Sequence, residues 1–165
     1  MTQKDVSPLA PRYRSQLAVH GVWASVAGML GGLGFLFNIL RYIEVFPFVP
    51  RIEAKVPGSE PAWRAAHTGP IMNGMLAMSV ASVGSMVELS PKAQRGLVVT
   101  MLITIWGNTI GYNAAAVGGE RGLTHRGGPL NNVAYVSFLA AAGSVLVSLG
   151  LTLVGLGRHR RSVTR

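Results

Sequence analysis

The sequence predicts an all-α fold, an integral membrane four-helix bundle with both termini cytoplasmic, and three observations carry that expectation. Only 13% of the 165 residues are charged while 49% are hydrophobic, too few charges for a soluble domain of this size. Four segments, about residues 17–40, 69–89, 96–117 and 133–156, meet the length of roughly 20 mainly apolar residues that crossing a ~30 Å hydrocarbon core requires. Runs such as Met101-Leu102-Ile103 lack the strict alternation of a barrel strand. Lipid offers no hydrogen-bond partner to an open backbone, so the spans read as helices.

Taken in order, the chain opens on a polar arm, Thr2 to Arg14, without the short core and small-residue cleavage site of a removable signal, so the first span is expected to be retained. Residues 41–68 form a long connection holding Pro47, Pro50, Pro57 and Pro61. Within it Ser59-Glu60-Pro61 reads as a helix start, a cap residue followed by an early proline, which predicts a short interfacial helix over residues 62–66. Pro70 follows where a continuing helix loses a hydrogen bond, predicting a break or kink close to His67. A short loop joins the second and third spans. The Gly-rich segment 118–129 has no phosphate-binding pattern and reads as a cover over one end of the bundle. The fourth span runs into a basic tail, residues 157–165. No internal repeat is evident, and residues 1–165 read as a single membrane domain.

The net charge is +9, and its placement is more telling than its size. Nine basic residues fall on one side (Lys4, Arg12, Arg14, Lys92, Arg95, Arg158, Arg160, Arg161 and Arg165) against six in the other loops (Arg41, Arg51, Lys55, Arg64, Arg121 and Arg126). The positive-inside rule then puts both termini of the multi-pass chain in the cytoplasm. Beside a span, basic residues meet anionic lipid headgroups, so membrane lipid is the expected partner and nucleic acid is not. The absence of cysteine excludes a disulfide framework, thiolate metal sites, an iron–sulfur cluster and covalently attached haem.

Polar side chains inside the apolar segments are the candidates for function, because a polar group removed from water needs a hydrogen bond, an ion or a metal. His67 stands at the mouth of the second span, with Asn73 about one and a half turns inside. In the third span Thr104, Asn108 and Tyr112 are spaced i, i+4, i+8, which aligns them on one helix face. Antiparallel packing of the two spans brings the five to a common depth, predicting one polar pocket. Each has a plainer reading: His67 bonded to a carbonyl or water, Asn73, Thr104 and Asn108 joining helices, Tyr112 an interface anchor. His20, near the other end of the first span, reads as structural, and Trp106 projects away from the stripe as a packing or wall residue. Gly28 and Gly32, and Gly107 and Gly111, form GxxxG pairs for close helix contact within or between subunits.

Several strings resemble the bacterial styrene oxide isomerases: Val56-Pro57-Gly58-Ser59, Trp63, Ala66-His67-Thr68-Gly69-Pro70 and Asn73-Gly74-Met75. Trp106, Asn108 and Tyr112 match the family's spacing, Arg121-Gly122-Leu123-Thr124 resembles its loop after the third span, and His20-Gly21 the start of its first. The likeness covers roughly residues 18–125 and rests chiefly on the His67 to Asn73 motif with the Tyr112 segment. It implies a homotrimeric membrane isomerase that binds haem b between subunits and converts aryl epoxides to aldehydes. His67 would be the axial ligand of the haem iron, with Asn73 and Tyr112 beside the substrate. The family has an aspartate where this chain has Thr104, a departure that bears on the substrate.

One histidine without a histidine partner leaves an axial position open, which favours catalysis over electron transfer. Ferric iron is then expected to act as a Lewis acid on the epoxide oxygen, followed by a 1,2-hydride shift to the aldehyde. Asn108 and Thr104 are counted with Tyr112 and Asn73 as site residues. Two other readings stay open. One is a non-catalytic haem-binding membrane protein: a sensor, a carrier or an electron-transfer component. The other is a small drug transporter, which needs a carboxylate inside the spans; Glu88 is the sole acidic residue there.

Overall fold

The structure is a computed structural model that describes residues 6–164. Lys4 and Arg165, two of the basic residues used to assign sides, lie outside them. Four long helices dominate: α1, Pro11–Leu40; α2, Glu60–Val83; α3, Pro91–Gly118; and α4, Pro129–Val163. A two-residue strand β1, Ser7–Pro8, precedes α1, and an antiparallel hairpin of β2, Tyr42–Val45, and β3, Val49–Glu53, follows it. A single 3-10 turn, Gly84–Met86, and strand β4, Glu88–Leu89, join α2 to α3.

Each α-helix starts with a proline in its first turn, where the missing N–H has no acceptor to satisfy and the fixed φ favours the helix. α1 and α4 are long and apolar enough to cross a membrane, whereas α2 and α3 are less apolar by the same measure. The second apolar segment is a helix over a different range from the one expected. α2 begins nine residues before Gly69 and ends before Glu88 and Leu89, which are extended.

No break occurs at Pro70: the expected interfacial helix and the span are one continuous α2. Ser59 is its N-cap in extended conformation, but its side chain makes no capping bond; its carbonyl accepts from the Trp63 amide at 3.1 Å. The hydrogen bond that Pro70 removes would have gone to the Ala66 carbonyl. That carbonyl lies against Gly31 of α1, and further glycines extend the contact along the two helices: Gly28 against the His67 carbonyl and Gly21 against that of Gly74. Close backbone contact through small residues carries the packing of α1 on α2, the arrangement that also serves where helices meet in lipid. Lateral support of this kind is why the proline is accommodated.

α1 packs on α2, both contact α3, and α4 packs on α3, the 3-10 turn and β4. The second glycine pair also works within the chain, with Gly107 against Ser137 and Ala141, and Gly111 against the Phe138 ring. Leu9, Leu17, Val87, Leu89, Leu97, Met101 and Ile105 form a fully buried cluster. At this end of the molecule the chain's start and finish meet. β1 pairs with β4, and the His159 Nδ1–H of α4 donates to the Glu88 carboxylate at 2.9 Å.

Gln94, in the first turn of α3, fastens the N-terminal arm. Its amide nitrogen reaches Ser7 O and Oγ, Pro8 O and Leu89 O at 3.0–3.1 Å, and its oxygen accepts from the Ala10 amide at 3.1 Å. At the other end, Asn38 of α1 donates to the Val56 and Gly58 carbonyls, both at 3.2 Å, and the Trp63 indole donates to Pro57 O at 2.7 Å. Gly58 has φ +91° and its Cα abuts the Ala116 carbonyl of α3, so no other residue fits there. The 118–129 loop is tied down by Asn131, which accepts from the Gly122 amide at 2.8 Å and donates to the Thr124 and Arg126 carbonyls.

Replacing Gln94 by Leu keeps the volume but strands buried backbone groups of the arm. A loss of about 1–3 kcal/mol is expected, measured as a lower unfolding temperature in detergent together with faster trypsin cleavage after Arg12 and Arg14.

Candidate functional site

His67 faces α1. Its Nδ1 lies 3.0 Å from the Gly28 carbonyl oxygen. A carbonyl only accepts, so Nδ1 carries the proton and donates it, which leaves the Nε2 lone pair free. The contact exists because α1 has no side chain there: a Cβ at Gly32 would stand 2.7 Å from His67 Nδ1, and one at Gly28 would stand 2.7 Å from the His67 carbonyl. The Gly28–Gly32 pair is therefore a cradle for an imidazole as well as a helix contact. His67 is half-buried.

Asn73 faces α3. The Asn108 amide donates to Asn73 Oδ1 at 3.1 Å, and Asn73 in turn donates to the Gly69 carbonyl of its own helix at 2.8 Å. Tyr112 lies one turn beyond Asn108, its ring against Gly69 and edge-on to Phe138 of α4, with ring centroids 4.9 Å apart. Asn73, Asn108 and Tyr112 thus form one polar group between α2 and α3, lined on the helix-end side by the aromatic and small residues Trp63, Ala66 and Ala116.

Two expectations need correction. His67 shares the depth of this group but not its side of α2: six residues separate it from Asn73, or about 120° around the helix. Thr104 does not join the amides. It is 1% exposed and its hydroxyl donates to the Thr100 carbonyl at 2.9 Å, a local bond that uses up its donor. Spacing within α3 aligns the three on one face, but which neighbour each position meets depends on the residues that the packed helices set opposite it, and no spacing within α3 contains that.

His20 is structural in the expected sense, with a partner that sequence reasoning missed. Trp106 Nε1–H donates to His20 Nδ1 at 3.1 Å, with the rings near perpendicular. Glu88, the carboxylate a transporter reading requires inside a span, lies instead in β4, bonded to His159 and Ser162. Asn38, Gln94 and Asn131 were also overlooked, although a lone amide within an apolar run, as in Phe37-Asn38-Ile39, was a visible signal. The Gly28 carbonyl has no such signal, being backbone.

Fold and site together define a small four-helix protein, consistent with a membrane setting, that turns the free nitrogen of His67 to one side of α2 and a group of amides and a phenol to another. The chain belongs to the styrene oxide isomerase family, whose model matches residues 13–157. It is 29% identical over 134 residues to the styrene-oxide isomerase of Pseudomonas fluorescens, an alignment covering 81% of this chain and 79% of that protein.

The cradle is testable without any ligand. In Gly32→Ala the added methyl displaces the imidazole from the Gly28 carbonyl. The expected result is faster exchange of the His67 Nδ1 proton and a mixture of tautomers in nitrogen NMR, with overall helicity unchanged.

Proposed function

We propose that the protein is a haem-dependent membrane epoxide isomerase that converts an aryl epoxide of the styrene oxide type to the aldehyde. Family membership supports epoxide isomerisation. The observation that carries the cofactor is the His67 Nδ1–H bond to Gly28, since metal-binding histidines commonly donate the second ring nitrogen's proton to a carbonyl, which fixes the tautomer and raises ligand basicity. His67 would hold the iron of haem b through Nε2, the ring nitrogen that the Gly28 contact leaves available, and the porphyrin would supply the other donors.

When bound, a ferric haem supplies a Lewis acid for the epoxide oxygen. The chain's own residues do the remainder. The Asn108 bond locks the Asn73 amide, leaving its second N–H to orient an epoxide. Tyr112, held by its ring against Gly69 and Phe138, donates its hydroxyl proton as a hydrogen bond to the oxygen. Its ring stabilises positive charge at the benzylic carbon. The benzylic C–O bond breaks, a hydride moves from the adjacent carbon, and the C=O bond forms; oxygen is retained, with no net oxidation and no second substrate. Apolar walls exclude the water that would trap the cation as a diol.

Assembly as a homotrimer with haem between subunits is what the family resemblance implies. A group held at His67 is turned away from the amides of its own chain, which supports a site completed by a second copy. The membrane reading has four spans and cytoplasmic termini in a bacterial inner membrane. It is supported by α1 and α4 and by the basic residues Arg12, Arg14, Lys92, Arg95, Arg158, Arg160 and Arg161 gathered at one end.

The deciding experiment is an absorption spectrum of the detergent-purified protein followed by addition of styrene oxide and assay of phenylacetaldehyde. A Soret band and aldehyde are expected. A band without aldehyde would move the protein to the non-catalytic haem-binding class, the reading that Thr104 in place of the family aspartate favours. His67→Ala is expected to lose band and turnover together, and haem retained by that variant refutes the ligand assignment. Tyr112→Phe is expected to keep the band while lowering kcat about a hundredfold, the usual size for one lost transition-state donor.

A further inference from the structure

The hairpin tip carries two aromatic side chains that nothing in the chain covers. Phe46 is 87% and Phe48 84% exposed, more than any other large hydrophobic among the described residues. Charge along the hairpin is segregated. Residues 45–49, Val-Phe-Pro-Phe-Val, carry none, while the stem and its approaches hold Arg41, Glu44, Arg51, Glu53 and Lys55. The stem satisfies itself: the Arg51 guanidinium pairs with Glu53 at 2.9 Å and lies 4.0 Å above the Tyr42 ring. A two-stranded hairpin is marginal alone, so these contacts hold the aromatic tip in place but give it no partner.

The hairpin's position says what meets the tip. α1 exposes apolar side chains to its last turn, Leu36, Ile39 and Leu40, and only then reaches Arg41, which closes the helix in the left-handed conformation at φ 63°. The hairpin therefore emerges where the apolar surface of a spanning helix ends, at the level of lipid headgroups, where aromatic rings with an apolar body are favoured. Basic residues on the approaches, Arg41 and Lys55, suit the phosphates there.

We infer that residues 45–49 are an interfacial anchor that seats Phe46 and Phe48 among the headgroups and upper acyl chains, on the side opposite the chain termini. An apolar tip on a charged stem is the pattern of a segment that lies in the interface without crossing it. The inference rests on the membrane reading above but not on haem or isomerase chemistry.

Because the chain has no cysteine, one introduced thiol can carry an environment-sensitive fluorophore in the intact protein. Phe46→Cys and Phe48→Cys would be labelled, reconstituted in vesicles and quenched with two sets of lipids, brominated near the top and near the end of the acyl chain. Leu30→Cys on the exposed face of α1 and Glu53→Cys on the stem serve as references. At Phe46 and Phe48, emission is expected to fall roughly twofold or more, with little change at Glu53. Quenching at Leu30 but not at either tip site overturns the anchor and leaves the membrane reading standing. No quenching at Leu30 sinks both. A tip label already shielded in detergent, and cross-linking to a second copy, overturns the lipid assignment and gives the tip to a contact between subunits.

Discussion

Close approach of α1 and α2 through glycine is the constraint on which the rest of this molecule depends. Gly21, Gly28 and Gly31 let the α1 backbone reach carbonyls of α2, and three consequences follow from that one contact. α2 tolerates Pro70 without a break. The His67 ring finds a backbone acceptor instead of water. The same acceptor assigns the imidazole proton, so the nitrogen left over is the one able to bind a ligand. In lipid, where apolar surface gains little from leaving its surroundings, tight packing and hydrogen bonds must do what the hydrophobic effect does for soluble cores. The glycine contact supplies both, and it puts the imidazole in place through backbone atoms alone.

Polar side chains away from the candidate site serve a different purpose. Asn38, Gln94 and Asn131 are each nearly fully buried, and each satisfies backbone groups of a segment outside the helices. They fasten the loops at both ends of the helices, so that Trp63 and Gly58 come down over the α2–α3 group. Within the helices, Thr100, Thr104 and Thr109 return their hydroxyls to carbonyls three or four residues earlier. A buried hydroxyl with a local partner is structurally satisfied, and this separates Thr104 from Asn108, four residues on, whose amide crosses to another helix.

Much of the architecture was legible because apolar length and composition are one-dimensional properties. Four apolar segments gave four helices, and Ser59-Glu60-Pro61 marked the start of α2. The end of that apolar run was misleading. Hydropathy continues through Val87 and Leu89, yet those residues are extended and buried in a cluster with Leu9, an environment that an apolar strand and an apolar helix satisfy equally well. The candidate site was legible as a set of residues and only partly as an arrangement. Asn73 and Asn108 do meet, with Tyr112 one turn away against Gly69, while His67 and Thr104 turn elsewhere.

By itself the sequence determined which residues are polar in apolar surroundings, how many helices the chain can form, and, through the His67 to Asn73 motif, the family to which it belongs. Tertiary structure alone decided that His67 meets Gly28, that Trp106 meets His20, and that Glu88 is held by His159. The physical reason is that spacing along a helix states which residues share a face, but the partner of that face is set by how closely two backbones approach. That distance depends on residues remote in the chain, here glycines about forty positions from the histidine they hold.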